Sequence, residues 1–357
     1  MTALNFVRVS LWVGIALCSG KVVAGSAGAP DDLLFVSNRQ GSVFELYRMA
    51  ADGGPAQRVV PERGEAGEMS WSPDGSKVLY TAARAGAQLN IFVSSVDKPS
   101  TQQLTHDALP STEPTWSPDG KTIAFVSSRD GSRRIYLMDA DGGHQRRLTD
   151  ALNDDEFTPR FSPDGSKLVY IAGNSRLISP RIAMADLVSG KSSIVSDYPE
   201  RAIESAPAWS PDGTRLLFTL IKGQTSHLFV MAADGRGRTQ LTPPESVRNG
   251  QPAWSPDGRR ILYLSVSAET ARRNLLLMNA DGSEQRKLYA SDNDVMDAHW
   301  STDGQRIFYV EQLASGGKIF STDLAGRNIR RLSGSEGFDL NIQVCCSRPS
   351  AHMASVR

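Results

Sequence analysis

Carboxylates recur at fixed places along this 357-residue chain. Glu68, Glu113 and Asp297, joined by Gln251, each stand three residues ahead of a tryptophan. Asp154, Asp155, Glu156, Glu204, Asp292 and Asp294 stand a little further upstream of the same kind of aromatic landmark. Acids gathered on one concave surface focus a negative potential that draws cations toward it. Such a rim suits a basic peptide or protein segment, or a hard cation such as Ca2+, which takes carboxylate oxygens.

Groups suited to covalent chemistry are scattered by contrast. His106 and His299 fall among those acids, whereas His144 and His352 do not, so the converging imidazoles of a histidine metal site are not expected. There is no Gly-x-Ser-x-Gly nucleophile elbow and no glycine-rich phosphate loop ahead of a helix. Asp139-Ala140-Asp141-Gly142 opens like a calcium loop, but Asp150 stands where the closing glutamate belongs. Its sister copies at Asp234-Gly235 and Asp281-Gly282 read as hairpin turns. The expectation is a chain with no catalytic residues, no bound metal and no cofactor, Ca2+ being the one ion the acids would suit. If chemistry does occur, Asp297, His299 and His106 are the residues to inspect.

A repeat must position these acids. The pentapeptide Trp-Ser-Pro-Asp-Gly begins at Trp71, Trp116, Trp209 and Trp254, with variants beginning at Phe161 and Trp300. Its spacings are 45, 45, 48, 45 and 46 residues, the signature of a repeat architecture. Each unit carries four short β-patterned runs. In one copy they are 113–116, Ile123–Val126, Ile135–Met138 and 145–149, separated by turns at Asp119-Gly120, Asp130-Gly131 and Asp141-Gly142. Four antiparallel strands with no room for a helix make a propeller blade.

The second-strand pattern occurs seven times, from Leu33–Val36 to Ile307–Val310, although the pentapeptide occurs six times. The first unit lacks its own first strand, and Phe338–Val344 has no unit of its own to complete. The two are expected to pair, closing a ring and leaving no open sheet edge. The fold expected is therefore all-β: a seven-bladed β-propeller of four-stranded antiparallel blades over residues 31–345, with six blades as the runner-up. The recurring Trp or Phe should pack between neighbouring sheets, and Met49, Met138, Met184, Met231 and Met278 should lie in the core.

In such a ring the linkers from strand four to the next strand one share one face, around the channel mouth. They hold eighteen acids against four bases, a balance of −14 in a chain whose net charge is zero. That balance makes the linker face the candidate site, with partial neutralisation by the turn residues Arg39, Arg84 and Arg129 as the competing reading. Zero net charge also argues against a nucleic-acid binder. Arg8, the apolar run Leu11–Cys18 and the small residues before Gly25 read as a secretory signal over residues 1–24, or as a retained anchor if uncleaved. Residues 346–357 read as a tail. Cys345 and Cys346 read as thiols, with a disulfide between them left open.

The repeated WSPDG, the strand text Ala124-Phe125-Val126-Ser127-Ser128-Arg129 and the Arg-Arg-Leu-Thr at 146–149 resemble the TolB-type β-propeller repeat. The resemblance implies a periplasmic propeller that serves as a docking surface for other proteins. This chain departs from the family's type member, which has six blades and an α/β domain ahead of them. The fold and the scaffold role carry over, and the Tol partners do not. The expectation is a monomeric, non-catalytic cell-envelope scaffold that takes a protein or basic peptide at its acidic channel mouth. The alternative is a propeller enzyme or sensor acting on a small molecule or carbohydrate with a metal in the channel.

Overall fold

The computed structural model describes residues 31–345 apart from 61–65, 85–87, 99, 150–154, 174–179, 197–201, 247 and 290. Asp154, the leader at 1–24 and the tail at 346–357 lie outside the described residues. Every described element is a β-strand, and the strands form seven four-stranded sheets. Blade one joins Asp339–Cys345 to Asp32–Ser37, Glu45–Ala50 and Gln57–Arg58. Blades two to seven take their strands in chain order, opening with Ala66–Trp71, Ser111–Trp116, Asp155–Phe161, Ile203–Trp209, Asn249–Trp254 and Asp294–Trp300. The seven-blade expectation holds and the six-blade one falls.

The pentapeptide builds the turn between strands one and two. In blade two, Ser72 Oγ donates to Asp74 Oδ1 at 2.6 Å and accepts from Lys77 N at 2.9 Å, while Asp74 Oδ1 accepts from Ser76 N at 2.9 Å. Gly75 takes a φ of 66°, a conformation glycine adopts freely. The turns also stack around the ring. A Cβ on Gly120 would sit 3.6 Å from the Pro73 ring of the preceding blade, and Gly165 faces Pro118 in the same way. Blade seven carries Thr302 in place of proline. Its N–H, which proline would lack, donates to Asp31 Oδ2 at 3.1 Å, and its hydroxyl donates to Asp31 Oδ1. The one departure from proline therefore falls at the seam, where the next blade offers Asp31 rather than a pentapeptide turn.

The core comprises seven apolar clusters, each drawn from two adjacent blades. The recurring aromatics are all buried, as are the five third-strand methionines. Trp209, Trp254 and Trp300 donate Nε1–H to the carbonyls of Arg160, Ala208 and Ala253 in the preceding blade, at 3.2, 3.4 and 3.2 Å. Trp71 and Trp116 Nε1 find no acceptor among the described residues.

The ring closes as the sequence suggests. Val344 pairs with Leu33, Gln343 with Leu34 and Asp339 with Ser37, antiparallel. Arg39 holds Asp339 at 2.8 Å, Phe338 N donates to Asn38 Oδ1 at 2.7 Å, and the buried Lys318 ammonium donates to the carbonyls of Glu336 and Gly337. The fourth strands are shorter than the five residues read at 145–149. Most span two or three residues, Arg146–Arg147 and Arg330–Arg331 among them, and both pairs are exposed. Short, charged outer strands discourage edge-to-edge pairing between molecules.

Candidate functional site: the linker face and channel

Antiparallel alternation puts the linkers and the hairpins between strands two and three on one face. The pentapeptide turns lie on the opposite face. This geometry corrects the simple charge count, because much of the compensating positive charge shares the linker face. Arg129 pairs with Asp107 at 2.5 Å, Arg273 with Asp294 at 2.6 Å and Arg39 with Asp339 at 2.8 Å. Arg84 lies over the Phe92 ring at 4.5 Å. Neutralisation by turn arginines is thus real for Arg39 and Arg129, and the face is a mosaic rather than a uniform anionic bowl.

Of the ten singled-out positions, Asp154 lies outside the described residues, and the structure places the other nine in different ways. Glu156 and Glu204 are 0% and 1% exposed. Each turns inward and accepts the N–H of the second residue of the third strand, from Ile135 and Ile182 respectively, at 2.9 Å, together with the hydroxyl of Thr149 or Ser196. In blades two and five the equivalent N–H is held by Thr105 and Thr242 hydroxyls. Burial raises the Glu204 carboxyl above the ordinary range. A rim for partners is therefore drawn without these two.

Glu68, Glu113 and Asp297 form blade-to-blade staples. Glu68 accepts from Glu113 N at 2.5 Å, Glu113 accepts from Thr158 N, and Asp297 Oδ2 accepts from Ile342 N at 2.9 Å. Each bond spans 45 residues, one repeat. The receiving strands carry a bulge that turns an N–H toward the preceding blade. Glu113, Thr158, Ala206 and Gln251 all take φ near 50° there, although none is glycine. Thr158, Ala206 and Gln251 carry no carboxylate, so the acidic staples lapse after blade four and resume only with Asp297 in blade seven. Gln251 Oε1 and Thr158 Oγ1 are buried without a partner among the described residues.

Asp155 and Asp294 are half-buried and accept from the backbone N–H groups of Arg133 and Arg273 at 3.0 and 2.7 Å. Asp292 is exposed and carries no bond among the described residues. Two exposed linker acids, Glu245 and Glu336, share that freedom. They lie inside the linkers counted from sequence, but without the upstream-of-tryptophan spacing that drew attention to the others.

Around Glu68 the channel wall holds a compact charge cluster. The Glu68 side chain is exposed to solvent yet stands close to the charges of Glu113, Arg160 and Arg133. Desolvation by the surrounding protein first, and the Glu113 charge second, push its carboxyl up to about 7. Glu113 is raised by burial, and the guanidinium groups of Arg160 and Arg133 pull the other way. A carboxyl whose folded pKa lies above its unfolded value of 4.5 binds more protons in the folded state across that window. Stability should therefore fall as pH rises from 4.5 toward 7. Glu68→Gln keeps the acceptor for Glu113 N and removes the charge. The variant should match the parent near pH 4.5 and exceed it near pH 8 by about 1 kcal/mol, the full shift being screened by solvent. Urea melts of both proteins across that range would show it, and a difference that does not change with pH would refute it.

His299 is buried, and its Nε2 lies 3.1 Å from Asp297 Oδ1. Asp297 and His299, two of the three residues marked for inspection, thus lie together, though Asp297 spends its second oxygen on Ile342. His106 is exposed in the linker between blades two and three. At 139–144 the suspected calcium loop is a hairpin turn, with Asp141 Oδ1 accepting from Gly143 N at 2.9 Å and Asp139 Oδ2 lying 2.6 Å from His144 Nδ1. Among the described residues no group of three or more His, Cys, Asp or Glu could hold a metal ion.

A ring of WSPDG blades with these seams defines a β-propeller of a particular kind. The TolB beta propeller domain family matches residues 58–177 and 152–340, and the chain belongs to that family. The Tol-Pal system protein TolB of Gluconobacter oxydans is 33% identical over 112 residues, 30% of this chain and 23% of that protein. The match thus spans about a quarter of that curated relative's length. The crystal structure of TolB from Acinetobacter baumannii aligns with a TM-score of 0.54 at 23% identity, covering 72% of this chain and 65% of that one. An oligogalacturonate lyase in complex with manganese aligns with a TM-score of 0.60 at 17% identity over 85% of each chain, a likeness of fold alone.

Proposed function

We propose that the protein is a non-catalytic scaffold of the cell envelope, periplasmic after export, whose linker face holds a basic segment of a protein partner. The observation that carries this reading is a set of uncommitted acids. Arg39, Arg129 and Arg273 on that face are each committed to an ion pair, while Asp292, Glu245 and Glu336 are exposed and uncommitted among the described residues. Arg133, Arg248 and Arg272 on the same face are exposed without an ion pair among the described residues, so the reading rests on three local acidic spots rather than on a negative net charge. The curated relatives, Tol-Pal system proteins, support a scaffold of the envelope.

The test reverses the three free acids to Lys together. Because none holds the fold, the melting temperature should stay within a few degrees. Binding of a lysine-rich peptide at low salt should weaken about tenfold or more and lose most of its salt dependence. Equal affinity in parent and variant would remove the linker face from the account. The alternative, a metal-assisted propeller enzyme or sensor, rests on the His299–Asp297 dyad. Metal retained stoichiometrically through dialysis and lost in His299→Ala would favour it.

A further inference from the structure

On the face opposite the linkers, a cleft of about 540 Å3 opens between blades six and seven. The repeat explains why it is there. Arg215, at the start of strand two in blade five, lays its guanidinium 4.6 Å from the Trp254 ring of the next blade and fills that interface. Arg260 is its counterpart in blade six, one 45-residue repeat on, and Trp300 is the counterpart of Trp254. Arg260 does not cover Trp300. Its side chain is exposed and makes no hydrogen bond or ion pair among the described residues. The space this leaves is lined by Arg260, Arg286, Trp300, Asp257, Asp303 and Gln305.

We propose that this cleft binds a sugar phosphate, either free or as the headgroup of a lipid. Two guanidinium groups suit a phosphate, which they can hold through paired charge-assisted bonds. Asp257 and Asp303 offset part of that charge, and Asp257 feels the Arg260 guanidinium directly. Each is tied into its own turn, accepting from a serine hydroxyl and a backbone N–H. Their remaining lone pairs, with the Gln305 amide, suit hydroxyl donors rather than a second anion. Trp300 and the neighbouring Leu324 provide the apolar wall on which the C–H face of a sugar ring rests. Arg259, Lys287 and Arg327, neighbours in sequence of the lining residues or of their turn, are all exposed. The cleft lies on the face where residue 31 enters and Cys345 leaves the ring, so the proposal is independent of the linker-face reading.

Calorimetric titration of the purified chain with glucose 1-phosphate, inorganic phosphate and glucose tests it. Saturable one-to-one binding of glucose 1-phosphate is expected, with both fragments weaker. Arg260→Ser should weaken it about tenfold or more, as the loss of a hydrogen bond to a charged group implies, with an unchanged melting temperature. Arg286 also donates to the Leu324 carbonyl, so its variant is a second test rather than the first. Vesicles bearing a phosphoinositide headgroup, set against phosphatidylcholine vesicles, distinguish the source: capture that glucose 1-phosphate displaces assigns a lipid, and no capture assigns the free molecule. Absence of saturable binding up to about 10 mM, or binding that Arg260→Ser leaves intact, overturns the proposal.

Discussion

Ending the chain at Gly337 should abolish the folded monomer. The lost segment supplies the innermost strand of blade one and the buried side chains of Ile342, Val344 and Cys345. Burying two aliphatic side chains alone is worth about 1.5–3 kcal/mol each. The deletion also frees Arg39 from Asp339, removes the Asp339 charge that favours the buried Lys318 ammonium, and exposes the edge of Asp32–Ser37. Against a total stability of about 5–15 kcal/mol, a loss of 5 or more leaves little. The expected result is loss of the cooperative thermal transition, with aggregation through the open edge. Full-length protein with Ile342→Ala should instead melt cooperatively at a cost of about 2–5 kcal/mol. A truncated chain that melts like its parent would mean that the ring does not depend on its seam.

The second large effect concerns the recurring aromatic. Trp300→Ala removes a buried ring from the wall between blades six and seven and should cost about 3–5 kcal/mol. Trp300→Phe should cost only about 1 kcal/mol, mostly the bond to the Ala253 carbonyl, because blade four already carries Phe161 at this place. Trp71→Phe removes an Nε1–H that has no acceptor among the described residues, so it should be near neutral or stabilising. Denaturant melts of the three variants check the order. Equal costs for Trp71→Phe and Trp300→Phe would show that the inter-blade hydrogen bond contributes nothing.

Most of the fold was legible because its determinants are local and repeated. A Ser-Pro-Asp-Gly turn, a β-branched strand and a buried aromatic recur every forty-five residues or so, and closure followed from one missing strand and one spare strand. The site was less legible. Glu156 and Asp155 are neighbours in sequence, yet alternation across the strand buries one and leaves the other half-exposed. The bulges at Glu113, Thr158, Ala206 and Gln251 carry no residue signature, since four different side chains adopt the same left-handed backbone. Without them, nothing marks Glu68 and Glu113 as acceptors for a neighbouring blade. The charge count went astray for a simpler reason: the hairpins between strands two and three return to the linker face, bringing Arg129 and Arg273 to Asp107 and Asp294.

Site-specific photocrosslinking in living cells tests the scaffold reading most directly. A photoreactive residue at position 292, on the linker face, should give one dominant covalent adduct with another protein. The same residue at position 283, exposed on the opposite face, should not give that adduct. Adduct formation at 283 with none at 292 would contradict the account.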